Sequence, residues 1–157
     1  MSKASEQQDV DVLSKSKNGL VFLTPNDWAL LADKAIRRQF KSGEKIVEQG
    51  KRSFGLYLLL KGTASVQIPP PRNIGPGEVC GEISLLDELA ATTNVVANEP
   101  VEAYFIDRGT LQSLFELFPH LGSRFYQSLA GILSRRLREV IGAPTPAKPA
   151  AAKKQAT

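Results

Sequence analysis

Several residue types that carry chemistry are scarce in this chain of 157 residues, which holds one cysteine and one histidine. Cys80 has no partner for an internal disulfide, and Cys80 with His120 alone cannot supply a zinc-ligand cluster. No apolar run approaches the roughly 20 residues that span a bilayer; the longest candidate, Leu56–Leu60, is far too short. The N-terminal stretch MSKASEQQDVDVLSKSKN is polar and of mixed charge, without the apolar segment of a secretion signal. A nucleophile elbow, metal-ligand spacing and a carboxylate pair placed for acid–base work are all missing. No unit of 20–50 residues repeats. These absences lead us to expect a cytoplasmic, soluble protein that is not an enzyme and holds no metal.

Positive charge is present but unevenly placed. The formal net charge is +4 and the pI about 9.3. Lys148, Lys153 and Lys154 sit in the last stretch, GAPTPAKPAAAKKQAT, where no acid balances them. The rest of the chain is close to neutral and lacks the broad basic face that phosphate-backbone binding favours.

The pattern along the chain divides it into three parts. Residues 1–18 carry three acids, three lysines and almost no apolar periodicity, and we read them as a flexible leader or the fringe of a first helix. Residues 19–141 form the folded domain. Its first helix starts at Thr24, a good N-cap, with Pro25 at the first helical position and Asp27 able to complete a capping box. Phe22 or Leu23 can staple onto Trp28 or Ala29, and Trp28, Leu31 and Ala35 share the core face. From Phe40 short apolar pieces alternate with glycines: KIVEQG, FGLYLLLKGTASVQI, TTNVVANEP and VEAYFIDRG. Many short strands at close spacing indicate an antiparallel barrel or roll. After Asp107 the period becomes helical, with Phe125, Leu129, Ile132, Leu133, Leu137 and Val140 on one stripe and Pro119 splitting a short helix from a longer one. Residues 142–157, rich in Ala, Pro and Lys, are expected to form a disordered tail.

The informative stretch is GPGEVCGEISLLDELAATTNVVA, residues 75–97. A glycine turn leads into a possible helical turn, a place where backbone N–H groups can hold an anion, and Glu82 can accept hydrogen bonds from sugar hydroxyls. Alone, the stretch equally suits a turn that caps a strand, and its spacing is neither GxGxxG nor a Walker loop.

In the order FKSGEKIVEQG, YLLLKGTASV, IGPGEVCGEISLLDE, ATTNVVA and a helix pair, the chain resembles the cyclic nucleotide-binding domain family, which includes catabolite-activator-type regulators and regulatory subunits of cyclic-AMP-dependent kinase. The resemblance covers roughly residues 20–140, with Gly43, Gly50, Gly62, Gly77 and Gly81 in register. It implies an α+β, mainly β fold: an eight-stranded antiparallel β-roll, jelly-roll-like, with an N-terminal helix and a C-terminal helix pair. It also implies a phosphate-binding cassette in which Gly81, Glu82, Ile83, Ser84 and Leu85 match. Glu82 falls where the family binds the ribose 2′-hydroxyl. Ser84 and Thr92 fall where backbone N–H groups reach the cyclic phosphate, with Thr93 beside them. Cys80 replaces an aromatic residue, and Ala91 stands where the family has the arginine that pairs with the phosphate. Arg52 and Arg72 are the nearby substitutes, and nothing in the spacing supports either.

A charge-assisted hydrogen bond contributes about 1.5–3 kcal/mol, and a guanidinium can make two in parallel. Losing it weakens phosphate binding about ten- to a hundred-fold. We therefore expect a stand-alone regulatory domain with a degenerate nucleotide site, acting through a protein partner. The alternative is a sensor that binds a cyclic nucleotide or another small molecule in the same pocket and signals through its C-terminal helices. The sixteen residues after Ile141 are too few for a DNA-reading helix-turn-helix, so no DNA-binding domain is expected. The C-terminal helix offers a surface for a homodimer. Arg135, Arg136 and Arg138 are explained by complementing the helix dipole, or by contact with an acidic partner or ligand. Cys80 reads as a small buried hydrophobe and His120 as a helix-start residue.

Overall fold

A computed structural model describes residues 3–142. Helix α1 spans Lys3–Lys15 and α2 Pro25–Lys34. Eight strands follow: β1 Ile36–Phe40, β2 Lys45–Val47, β3 Gly55–Lys61, β4 Ala64–Val66, β5 Arg72–Ile74, β6 Val79–Cys80, β7 Val95–Ala97 and β8 Val101–Asp107. A short helix α3, Glu82–Asp87, interrupts them before β7, and α4 (Arg108–Leu117) and α5 (Pro119–Val140) close the described chain. All strand pairs are antiparallel, in two four-stranded sheets ordered β1-β8-β3-β6 and β2-β7-β4-β5. This is the expected β-roll with an N-terminal helical segment and a C-terminal helix pair.

One strand supports two cores. In β3 alternate side chains point to opposite faces. Leu56, Leu58 and Leu60 pack against the helices, while Tyr57 and Leu59 face the second sheet. Strand β8 divides in the same way, with Tyr104 and Ile106 toward the helices and Val101 and Ala103 between the sheets. A continuous apolar run thus marks a strand covered on both sides. Each fully buried leucine contributes about 1.5–3 kcal/mol.

The start of α2 follows the sequence closely. Thr24 Oγ1 accepts from the Asp27 N–H at 3.1 Å, and Asp27 Oδ2 accepts from the Thr24 N–H at 3.0 Å. Leu23 and Trp28 are both buried in the helix-side core, whereas Phe22 is exposed. Asp27 also joins α2 to α5: Arg124 donates to its two carboxylate oxygens at 2.6 and 2.9 Å. The Arg124 bonds hold the Asp27 carboxyl below its ordinary range.

Two expectations change. Much of the supposed flexible leader, residues 1–18, is helix α1, and it packs onto the roll. Val10 and Leu13 enter the helix-side core, and the buried Asp9 accepts from the Tyr104 hydroxyl at 2.7 Å and from Arg37. Val10, Val12 and Leu13, gathered in one half of α1, are too few to show helical periodicity, and the partners that anchor Asp9 lie more than 25 residues away. Gly77 takes part in this contact. It has φ +87°, and a Cβ there would lie 2.1 Å from Ser16 Cβ, so conformation and space both require glycine. The apolar stripe of α5 is buried only over its first half. Phe125, Leu129 and Ile132 are buried and Leu133 packs alongside, but Leu137 and Val140 are 60% and 70% exposed because α5 runs past the edge of the core. From residue 143 onward, the tail expected to be disordered lies outside the described residues. Among the described residues, no helix is long and apolar enough to cross a membrane.

Candidate functional site

The stretch from Gly81 begins where β6 ends. Gly81 has φ +85°, the left-handed turn that ends the strand and caps α3, and its carbonyl accepts from the Leu85 N–H at 3.1 Å. The helix stops at Glu88, itself left-handed with φ +60°, whose N–H donates to Ser84 O at 2.9 Å. The chain then returns along the turn after β2. Ala91 is pinned there by two backbone bonds of 2.9 Å, one to Lys51 O and one from the Gly50 N–H. Thr93 Oγ1 donates to Gln67 O at 2.9 Å, tying the segment to the loop after β4.

These turns enclose a cavity of about 190 Å³. Gly81, Glu82, Ile83, Ser84, Ala91, Thr92 and Thr93, the residues singled out in the sequence, all line it. Val47, Val66, Ile68 and Val95 form its apolar wall, and Arg72, Cys80, Arg136 and Val140 complete the lining. Arg52 instead lines a separate pocket of about 40 Å³ with Phe54 and Arg108, so it does not serve this cavity. Among the described residues, no group of three or more His, Cys, Asp or Glu could hold a metal ion.

The polar centre of the cavity is a pair that the sequence did not indicate. Arg136 of α5 reaches down to Glu82 Oε1 and to the Val79 carbonyl, the latter at 3.1 Å. Glu82 is only 5% exposed, and among the described residues its Oε2 has no hydrogen-bond partner. A buried acceptor left without a donor costs on the order of 1–3 kcal/mol. Burial pushes the Glu82 carboxyl up, opposed by the positive charges of Arg136 and, to a lesser degree, Arg72. The second guanidinium is also committed, since Arg72 pairs with Glu139 of α5 at 2.8 Å. The arginines of α5 therefore divide: Arg136 turns into the cavity, while Arg135 approaches the Asn18 carbonyl at 3.5 Å. Glu82 and Arg136 are 54 residues apart, and no spacing rule connects them. Burial also pushes the Cys80 thiol up, away from the reactive thiolate form.

The family model described as "Cyclic nucleotide-binding domain" matches residues 37–117, just over half of the chain. The chain belongs to the cyclic nucleotide-binding domain family. The "Cyclic AMP receptor protein" of Thermus thermophilus is 32% identical over 124 residues, covering 74% of this chain and 56% of that protein. The "Cyclic GMP-binding protein C" of Dictyostelium discoideum is 28% identical over 130 residues, covering 78% of this chain but 5% of that protein. The chain thus spans about half of one curated relative and a small part of the other. A solved cyclic nucleotide-binding domain from Methylobacillus flagellatus has the same fold, with a TM-score of 0.72 at 22% identity, over 87% of this chain and 80% of that one. In this cyclic nucleotide-binding domain Glu82, Ser84 and the methyl group of Ala91 border the same cavity.

Proposed function

We propose that this chain is a non-catalytic regulatory domain whose cassette is degenerate toward cyclic nucleotides and whose output is contact with another protein. The observation that carries this reading is the charge around the cavity. Ala91 is neutral and buried, and the two guanidiniums in the lining are already paired, Arg136 with Glu82 and Arg72 with Glu139. A phosphate entering the cavity would be desolvated without a free counterion among the described residues, which disfavours its charged form. The apolar residues Leu137, Val140 and Ile141, all at least 60% exposed at the end of α5, support the contact role.

Calorimetric titration of the whole chain with cyclic AMP and cyclic GMP tests the reading. The expected result is binding weaker than micromolar for both. Micromolar or tighter binding of either would overturn it.

A second reading has one observation in its favour: the cavity is open, with a volume of about 190 Å³, and is not filled by side chains. On that reading the chain is a sensor, and a ligand in the cavity alters the packing of α5 through Arg136 and Val140. Micromolar binding accompanied by changed amide exchange along α5 would select it.

A further inference from the structure

We infer that the outer end of α5 and the loop after β4 form a docking site for an acidic, amphipathic segment of a partner protein. The inference rests on the reading that this domain acts through protein contact, and it adds where the partner sits and what chemistry it brings. Two depressions meet there. An apolar groove of about 520 Å³ is lined by Val140 and by the loop residues Ile68, Pro69, Pro70 and Pro71. A polar cleft of about 250 Å³ is lined by Asn18, Asn73, Glu78, Arg135 and Arg136. Arg72 and Glu139, paired with each other at 2.8 Å, line both. The prolines fix the loop backbone, so the groove wall loses little freedom when a partner binds. At its rim Leu137, Val140 and Ile141 are all at least 60% exposed.

Charge identifies the occupant. Arg135 and Arg138 are exposed, and among the described residues no carboxylate pairs with either. The acids of the cleft are committed, Glu139 to Arg72 and Glu78 to the Gly75 N–H at 2.8 Å. Glu139 is also the last acid in the sequence, and Lys148, Lys153 and Lys154 follow it. The chain's own tail therefore carries the wrong charge for this cleft. A second copy fits no better, because a two-fold contact sets the patch against itself and brings arginines toward arginines. A partner segment with apolar side chains for the groove and a carboxylate for Arg135 matches both halves.

The experiment pans a phage-displayed library of random peptides against the whole chain and measures the enriched peptides by fluorescence polarisation. Enriched peptides are expected to combine Asp or Glu with Leu, Ile or Phe. Arg135→Glu and Val140→Asp should each weaken their binding at least fivefold. Lys41→Glu, which borders neither depression, should leave it within twofold. Both α5 positions are exposed, and thermal melts check that the variants fold. Enriched peptides that are basic, or acidic without apolar residues, would overturn the partner chemistry. Peptides insensitive to both α5 substitutions bind elsewhere; they would overturn the site and leave the protein-contact reading intact. No enrichment at all would sink both. Sedimentation equilibrium supplies the last arm: a dimer abolished by Val140→Asp would make a second copy the occupant and refute the inference.

Discussion

Replacing Ala91 with arginine tests the charge argument directly. Backbone bonds to Lys51 and from Gly50 fix this position, and its side chain borders the cavity. A guanidinium placed there gains one or two charge-assisted bonds to a phosphate, about 1.5–3 kcal/mol. At 1.4 kcal/mol per decade, cyclic AMP and cyclic GMP should bind about ten- to a hundred-fold tighter than to the natural chain. A cost opposes this gain. Residue 91 is 8% exposed, and a larger side chain at a buried position loses about 1–3 kcal/mol where it cannot find room. The neighbouring cavity of about 190 Å³ gives the new side chain somewhere to go, so the lower end of that cost applies. The new charge also lacks an open partner until an anion arrives, because Glu139 is paired with Arg72 and the Glu82 oxygen that Arg136 does not hold is buried. Ala91→Arg should therefore melt a few degrees lower without ligand and recover when cyclic nucleotide is added. Ala91→Lys supplies a point charge without the bidentate fork and should gain less. Calorimetry and thermal melts with both nucleotides read these effects. A variant that melts cooperatively yet binds within twofold of the natural chain would refute the reasoning, since the missing charge would then not be what limits binding.

Two further outcomes concern the frame around the site. Asp27→Ala removes the carboxylate half of a capping box and both Arg124 bonds, and should cost roughly 2–4 kcal/mol in urea unfolding. Because Arg124 lowers the folded Asp27 carboxyl below its ordinary 3.8, this contribution is complete above that pH and fades as pH falls through the lower folded value. The Asp27→Ala variant should lose that part of the acid dependence, and an unchanged acid profile would show that the pair does not stabilise the fold. Leu13→Ala should cost about 2–4 kcal/mol, because Leu13 is 2% exposed in the helix-side core. A cost below about 0.5 kcal/mol, the level of an ordinary surface change, would return residues 1–18 to a loose leader.

Where the signal was local, the sequence was readable. Thr24, Pro25 and Asp27 announce the start of α2 within four residues, and the capping bonds form between those same residues. Pro119 separates α4 from α5 because it cannot donate a helical hydrogen bond, and it takes the first position of the new helix. The cassette is a similar case. Its residues lie within two short stretches, 81–84 and 91–93, and a tight turn at Gly81 brings the first of these to the cavity. Helix α1 was missed because its stabilising contacts, Asp9 with Tyr104 and Arg37, cross from one end of the chain to the middle of a sheet. The outer turns of α5 misled in the opposite sense. Leu137 and Val140 continue a core-like stripe, but the surface that buried Phe125 and Leu129 has ended.

The sequence by itself determined the family, the β-roll and residues 81–84 and 91–93 beside the cavity, including the neutral side chain at position 91. Those properties depend on residue identity and short spacing, which the linear text carries intact. Only the tertiary structure decided how charge is arranged inside the cavity. It brings Arg136 across 54 residues onto Glu82, joins Arg72 to Glu139, and among the described residues leaves one Glu82 oxygen without a donor. A count of charges cannot supply that arrangement, because whether a guanidinium is free to bind a ligand depends on which carboxylate the fold has already placed beside it.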